Sequence, residues 1–167
     1  MAVSNSSLIG ANFAGTGSTA LFALGTTAVG TDGSEWQYVE ATATFITGEI
    51  VLLYPTGSAY TFTTALLTAN ANGIDLGFSQ GVITQGEFGW MAKRGRNMYV
   101  LCTGTVTAGG ENGVAFSANS GRLENAPAVG VGQTALGIYI TTSASTATAS
   151  AAIATLTWPR PSLAGHG

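Results

Sequence analysis

The sequence predicts an all-β fold, either an antiparallel sandwich or a small barrel, with at most one short helix. Apolar and polar residues alternate with a period of two over several segments, and helical periodicity is almost missing. Turn signals containing Gly, Asn or Asp separate these segments at short intervals. With 167 residues, of which 46% are hydrophobic, the chain is long enough for one domain with a sizeable core.

The clearest strand lies between residues 36 and 46. There Val39, Ala41 and Phe45 share one face, while Glu40 and Thr42 share the other, as expected for a half-buried strand. Similar alternation predicts strands at 97–107, 135–142 and 154–158, and shorter strands at 20–24, 49–54, 74–78, 88–92 and 114–118.

Turns and irregular segments complete the prediction. Turn signals occur at 31–33, 55–57, 94–96, 108–110 and 111–113. Residues 63–71 predict a short helix, because Asn72-Gly73 after them suits a helix C-cap. The small-residue segment 143–152 is interpreted as a long loop, and Pro159 and Pro161 are expected to end the last strand.

The predicted organisation is an arm, a single domain and a tail. The N-terminal arm covers residues 1–18, the β-rich domain 19–161 and the C-terminal tail 162–167. In the polar arm, Leu8, Ile9 and Phe13 are isolated apolar anchors that we expect to contact a neighbouring subunit or a larger assembly. No internal repeat rises above the shared small-residue composition.

Charge is scarce, at 8% of the residues against roughly 25% in an ordinary domain. The net charge is -3 and no basic stripe occurs, so we expect no nucleic-acid partner. No apolar run approaches the roughly 20 residues of a membrane span, so we expect no membrane association. The N-terminus lacks the positively charged region of a signal peptide, which predicts a protein made in the cytoplasm.

The same shortage of charge bears on oligomeric state. β-proteins protect exposed sheet edges with lysine and proline, but Lys93 is the only lysine here and prolines number 4. We therefore expect partner chains to cover much of the surface, in a homo-oligomer for which a trimer is favoured over a dimer.

Residues that would support catalysis are sparse. His166, the only histidine, lies next to the last residue, and Cys102 falls on the apolar face of a strand, which favours an inert buried thiol. Asp32 and Glu35 flank a turn where calcium could bind, although a turn-forming role for Asp32 is favoured. We predict no enzyme, no catalytic residue, no metal and no cofactor.

The most distinctive local feature is a basic group that follows an aromatic strand containing Trp90. Lys93, Arg94 and Arg96 form either a solvated hairpin tip or a contact with an acidic partner surface. Trp158 and Arg160 form a second combination of the residue types that are enriched at interface hot spots. The candidate interface residues are Leu8, Ile9, Phe13, Trp90, Lys93, Arg94, Arg96, Trp158 and Arg160.

A pattern of glycines and aromatic residues extends over most of residues 20–161. It comprises Leu24-Gly25-Thr26, the run GTDGSEWQYVEA at 30–41, Gly77-Phe78, GEFGW at 86–90, Gly95 and LTWPRP at 156–161. This pattern resembles the head decoration (cement) proteins of tailed bacteriophages. The resemblance implies a β-rich oligomer on the exterior of the capsid, made in the host cytoplasm, which binds the major capsid protein and stabilises the shell against packaged DNA.

A competing interpretation is a receptor-binding or carbohydrate-binding module on a phage tail or fibre. In that case Trp36, Tyr38 and Tyr54 would be exposed and would stack on sugar rings.

Overall fold

The computed structural model describes residues 12–61, 75–109, 114–116, 121–125 and 134–162. The ten strands are β1 (Thr27–Val29), β2 (Glu35–Ala41), β3 (Ile50–Leu53), β4 (Ser58–Thr61), β5 (Asp75–Ser79), β6 (Phe88–Val106), β7 (Val114–Phe116), β8 (Leu123–Asn125), β9 (Thr134–Thr142) and β10 (Ala144–Ser162). These residues contain no helix, and hence none that could cross a membrane. The all-β prediction is confirmed, while the predicted helix at 63–71 lies outside the described residues.

The strands pair into two closed rings that share β6. Ring one runs β2-β4-β3-β5-β6 and closes through the pairing of β6 with β2; ring two runs β6-β10-β9-β7-β8 and closes through the pairing of β8 with β6. All pairs are antiparallel except β2–β4 and β6–β8, which are parallel. The sheet is therefore mixed rather than wholly antiparallel, because strand directions cannot alternate all the way around a ring of five strands.

Strand β6 is 19 residues long and passes from one ring to the other. Up to Arg94 it pairs with β2, and from Gly95 onward it pairs with β10, with a bulge in each ladder at this point. The predicted turn at 94–96 is therefore wrong. Glycine at position 95, with φ of 152°, bends the strand between two sheets, whereas a hairpin tip would reverse it.

Ring one contains an internal repeat that the sequence analysis missed. Residues 37–53 and 75–91 have the same structure, each residue lying 38 positions from its counterpart, as Phe45 does from Ile83. The pairs Ile50–Phe78, Val51–Gly77, Leu52–Leu76 and Leu53–Asp75 correspond to Phe88–Glu40, Gly89–Val39, Trp90–Tyr38 and Met91–Gln37. The two copies are related by an approximate two-fold, so Phe45 and Ile83 pair with each other.

Each copy of the repeat contains the same turn, at 46–49 and 84–87. The third residue is a glycine with positive φ, 84° for Gly48 and 80° for Gly86, as a type II turn requires. In both turns the N–H of the first residue donates to the carboxylate of the glutamate in the fourth position, over 3.0 Å. Only this Gly-Glu pair is identical between the copies, which explains why the sequence shows no repeat.

Two apolar clusters form the core. The first belongs to ring one and contains Val39, Ala41, Phe45, Val51, Leu53, Ala59, Ile83 and Met91. The second spans both rings, because it combines the alternate residues of β2, β3, β5 and β6 with residues of β8, β9 and β10. Strand β2 is consequently buried on both faces, and not on one face as its alternation predicted.

Three further segment predictions are wrong. Residues 20–24 form no strand, and 143–152 lies mostly in β10, where small residues such as Ala152 and Ala154 are buried in the second cluster. The prolines do not end β10, which continues to Ser162. Beyond Leu156 this strand pairs only with β9, and an edge strand tolerates residues that lack an N–H.

Candidate functional site

The described part of the predicted arm packs on this chain's own aromatic cluster. The Phe13 ring stacks on Trp36 with centroids 4.8 Å apart and meets the edge of Trp90 at 5.4 Å. Gly17 forms a β-bridge with Phe88. Trp90, a predicted interface residue, is therefore buried in the core of its own chain. Leu8 and Ile9 lie outside the described residues.

A cavity of about 430 Å³ lies beside this cluster. Its walls include Phe22, Tyr38, Phe88 and Trp90, and the segment 15–19 runs along it. Leu21 also lines the cavity, and its side chain is 79% exposed. This corner of ring one therefore presents apolar surface where the N-terminal segment meets the domain.

The structure separates the three residues of the predicted basic group. Lys93 forms an ion pair with Asp75 at the start of β5. The Arg94 Nε lies 3.7 Å from the Glu35 Oε1 on β2. Arg96 is exposed, and no ion pair to it occurs among the described residues. The group consequently does not act as a single cationic patch.

Arg94 and Arg96 instead line a cleft of about 330 Å³ at the bend of β6. Its other walls are the turn residues Asp32 and Gly33, the backbone at Gly95, and Thr155, Leu156 and Thr157 of β10. Thr155 and Thr157 contribute hydroxyl groups, so the cleft combines two guanidinium groups with polar and carboxylate oxygens.

Asp32 has the turn-forming role that the sequence favoured. Its Oδ1 accepts hydrogen bonds from the Ser34 N–H at 3.0 Å and the Ser34 hydroxyl at 2.6 Å. These hydrogen bonds lower the pKa of the Asp32 carboxyl group. Glu35 faces Arg94, and the described residues contain no cluster of three metal-ligating side chains.

Next to the cleft, β6, β10 and β9 present an outer face rich in tyrosine and threonine. Tyr99 of β6 lies opposite Ile153 of β10, and Tyr139 of β9 lies opposite Thr155 of β10. Ile153 and Thr155 are two residues apart, so they share one face of the strand. We call Tyr99, Ile153, Thr155 and Tyr139 the tyrosine face.

The sequence analysis did not select the two exposed tyrosines as site residues, although a signal for them exists. Tyr99 alternates with Met98 and Val100, and Tyr139 alternates with Ile138 and Ile140, all of which are buried. A large aromatic side chain on the outer side of a clear period-2 pattern therefore indicates an exposed ring.

Trp158 and Arg160 lie in the last part of β10, where Arg160 is opposite Leu136 of β9. Their side chains lie outside the described part of the chain. Cys102 is fully buried, as predicted, and burial raises the pKa of its thiol to about 11.

The aromatic residues that were expected to stack on sugars do not form an exposed platform. Trp36 and Tyr38 are buried, because both faces of β2 are covered, so this prediction is wrong for them. Tyr54 is half-buried and packs edge-on against Tyr60, with ring centroids 5.0 Å apart.

No family model matches this chain, and no curated protein matches its sequence significantly.

Proposed function

We propose that this protein is a structural virion component that binds the outer surface of a phage head, as a decoration or cement protein. It acts as a homo-oligomer on the capsid exterior, and its partner is the major capsid protein. The observation that carries the proposal is the set of large apolar side chains exposed on a chain with very little charge. They are Leu21, Leu24, Val29, Ile46, Tyr60, Val82, Tyr99 and Tyr139.

Exposed apolar side chains on a charge-poor chain support a role in assembly. Single exposed apolar residues are normal, but here they occur on both rings, and charged residues that would keep the surface solvated amount to only 8% of the chain. Surface on both rings allows one region to contact sister subunits while another contacts the shell. The glycine and aromatic pattern that resembles decoration proteins supports the same function.

The direct test uses heads assembled by a phage from which the gene for this protein has been deleted. Purified protein should co-sediment with these heads and raise the temperature at which they release DNA. Electron microscopy should show added density on the head. If the protein binds none of the capsid forms, the proposal is wrong, and density on tails or fibres would support the receptor-binding module instead.

Oligomeric state provides an independent test. Sedimentation equilibrium at micromolar concentration should give a mass above that of one 16.8 kDa chain, with three chains favoured over two. A monomer at all concentrations would contradict the free homo-oligomer.

A further inference from the structure

The tyrosine face is an exposed apolar surface on a regular, paired part of ring two. Tyr99 is 45% exposed and Tyr139 is 64% exposed, although both lie on strands that are hydrogen-bonded to β10. Ile153 lies between them and completes a stripe of three apolar side chains across three strands. A surface on paired strands is held rigidly, so little conformational entropy is lost when a partner binds.

The stripe is continuous with the cleft at the bend of β6. Thr155 belongs to both, since it lines the cleft beside Arg96 and lies opposite Tyr139. Lys93 and Arg94 form ion pairs with carboxylates, whereas no ion pair to Arg96 occurs among the described residues, although Asp32 lines the same cleft. The combined surface thus offers the exposed guanidinium group of Arg96 next to exposed aromatic rings.

This charge and these rings define the chemistry of a complementary partner. A guanidinium group pairs best with a carboxylate, and tyrosine and arginine are the residue types that dominate interface hot spots. A partner segment that fits would bring a carboxylate to Arg96 and apolar side chains to Tyr99 and Tyr139.

The size of the surface favours the shell over a second copy as the occupant. Three strands span about 10 Å between the outer two. Over the 9 residues of β9, about 30 Å, a face of this width offers less than the roughly 800 Å² that each partner of a stable pair buries. Small contacts become effective when an oligomer presents several of them to a repeating surface.

We propose that the tyrosine face and Arg96 form the surface that binds the major capsid protein, through an acidic segment with apolar flanks. This inference rests on the proposed function and identifies the part of the chain that performs it. This surface replaces the group of Lys93, Arg94 and Arg96 as the proposed contact with the partner. Lys93 forms an ion pair with Asp75 and lies outside the tyrosine face and the cleft.

The test is quantitative co-sedimentation with heads that lack the protein. The Tyr139→Ala and Tyr99→Ala variants should each weaken binding at least about thirtyfold, the effect of losing a hot-spot side chain. Gln85→Ala is the control, since Gln85 is exposed but lies in the turn at 84–87 of ring one and is not one of the exposed apolar residues. Arg96→Glu should weaken binding further, and the difference between Arg96→Gln and wild type should shrink as salt is raised.

The possible outcomes separate the two proposals. Binding of wild type together with equal binding by the Tyr99, Tyr139 and Arg96 variants would overturn this surface and leave the proposed function intact. Absence of wild-type binding would overturn both. If Tyr139→Ala lowers the oligomeric mass in sedimentation but leaves the affinity for heads unchanged, the face makes contacts between copies. That result would also overturn the inference. Lys93→Gln, which removes a positive charge elsewhere, should bind like wild type.

Discussion

Gly48 and Gly86 occupy the same position in two copies of one turn, but their surroundings differ. A Cβ atom on Gly48 would lie 2.8 Å from the Leu101 backbone nitrogen, whereas a Cβ on Gly86 would meet no atom within 4 Å. The Leu101 N–H donates to the Gly48 carbonyl over 2.7 Å, so the first turn connects ring one to ring two. The second turn makes no such close approach at its glycine.

Alanine substitutions at these two glycines should therefore differ in cost. Gly86→Ala should lower the free energy of unfolding by about 1–2 kcal/mol, the cost of a left-handed conformation with a Cβ atom. Gly48→Ala should cost about 1–3 kcal/mol more, because the backbone at 100–101 must also move. Urea denaturation measures the free energy of unfolding of both variants. Equal costs would show that the backbone at 100–101 moves away from a Cβ atom at position 48 without a measurable penalty.

Cys102 gives the protein a stability contribution that depends on pH. Burial raises the pKa of the thiol from 9.0 to about 11, so the folded protein keeps its proton where the unfolded chain loses it. This contribution is complete below pH 9 and is lost progressively between pH 9 and 11. Between pH 9 and 11, the unfolding free energy of wild type should therefore fall relative to that of Cys102→Ala. A difference that is constant with pH would contradict this.

At the scale of elements, the alternation of residues and short apolar runs predicted several strands well. Strands β3, β5, β7 and β9 occur close to their predicted positions, while β2 ends at Ala41 and covers only the first part of the strand predicted between 36 and 46. The prediction missed the first part of β10, since its small residues carry almost no apolar contrast. It also read the glycine and arginines at 94–96 as a turn, because a bulge between two sheets depends on pairing with β2 and β10, which no local pattern contains.

Long-range contacts also limited how much of the candidate site could be predicted from the sequence. The sequence identified Arg94 and Arg96, because charge is rare and visible in the chain. It could not separate Lys93 from them, since that depends on Asp75, which is 18 residues away along the chain. It also could not show that Trp36 and Tyr38 are covered by Phe13 and Phe22, which pack on them from the N-terminal segment.

The N-terminal segment contains two parts with different expected effects on stability. Deletion of residues 1–11 gives the reference melting temperature for the described part of the segment. Deletion of 1–18 should lower the melting temperature, since it removes the Phe13 ring from Trp36 and the Gly17–Phe88 bridge. Differential scanning calorimetry of both truncations measures this, with full-length Phe13→Ala as the control for loss of the ring alone. Equal melting temperatures for both truncations would show that residues 12–18 add no stability.

At the scale of the whole molecule, β6 is the one strand among those that the structure describes that belongs to both rings. Each ring closes only through β6, and the second apolar cluster includes residues from its first and second parts. We therefore expect the rings to unfold together, although each has its own pattern of pairing.

Gly95→Ala tests this coupling at the bend itself. A Cβ atom there would lie 2.9 Å from the Ser34 Cβ and would collide with the Met98 side chain, at a φ of 152°. Gly104→Ala is the control on the same strand, because its φ is also positive, at 74°, but a Cβ atom would meet nothing within 4 Å. We expect Gly95→Ala to lower the urea midpoint clearly more than Gly104→Ala does.

Two probes report the rings separately in that experiment. In a Trp158→Phe background, fluorescence follows Trp36 and Trp90 in ring one, while alkylation of Cys102 follows its exposure in ring two. Because both rings depend on β6, Gly95→Ala should shift the two probes to the same lower urea concentration. A shift of one probe without the other would show that the rings unfold independently and that the bend stabilises only one of them.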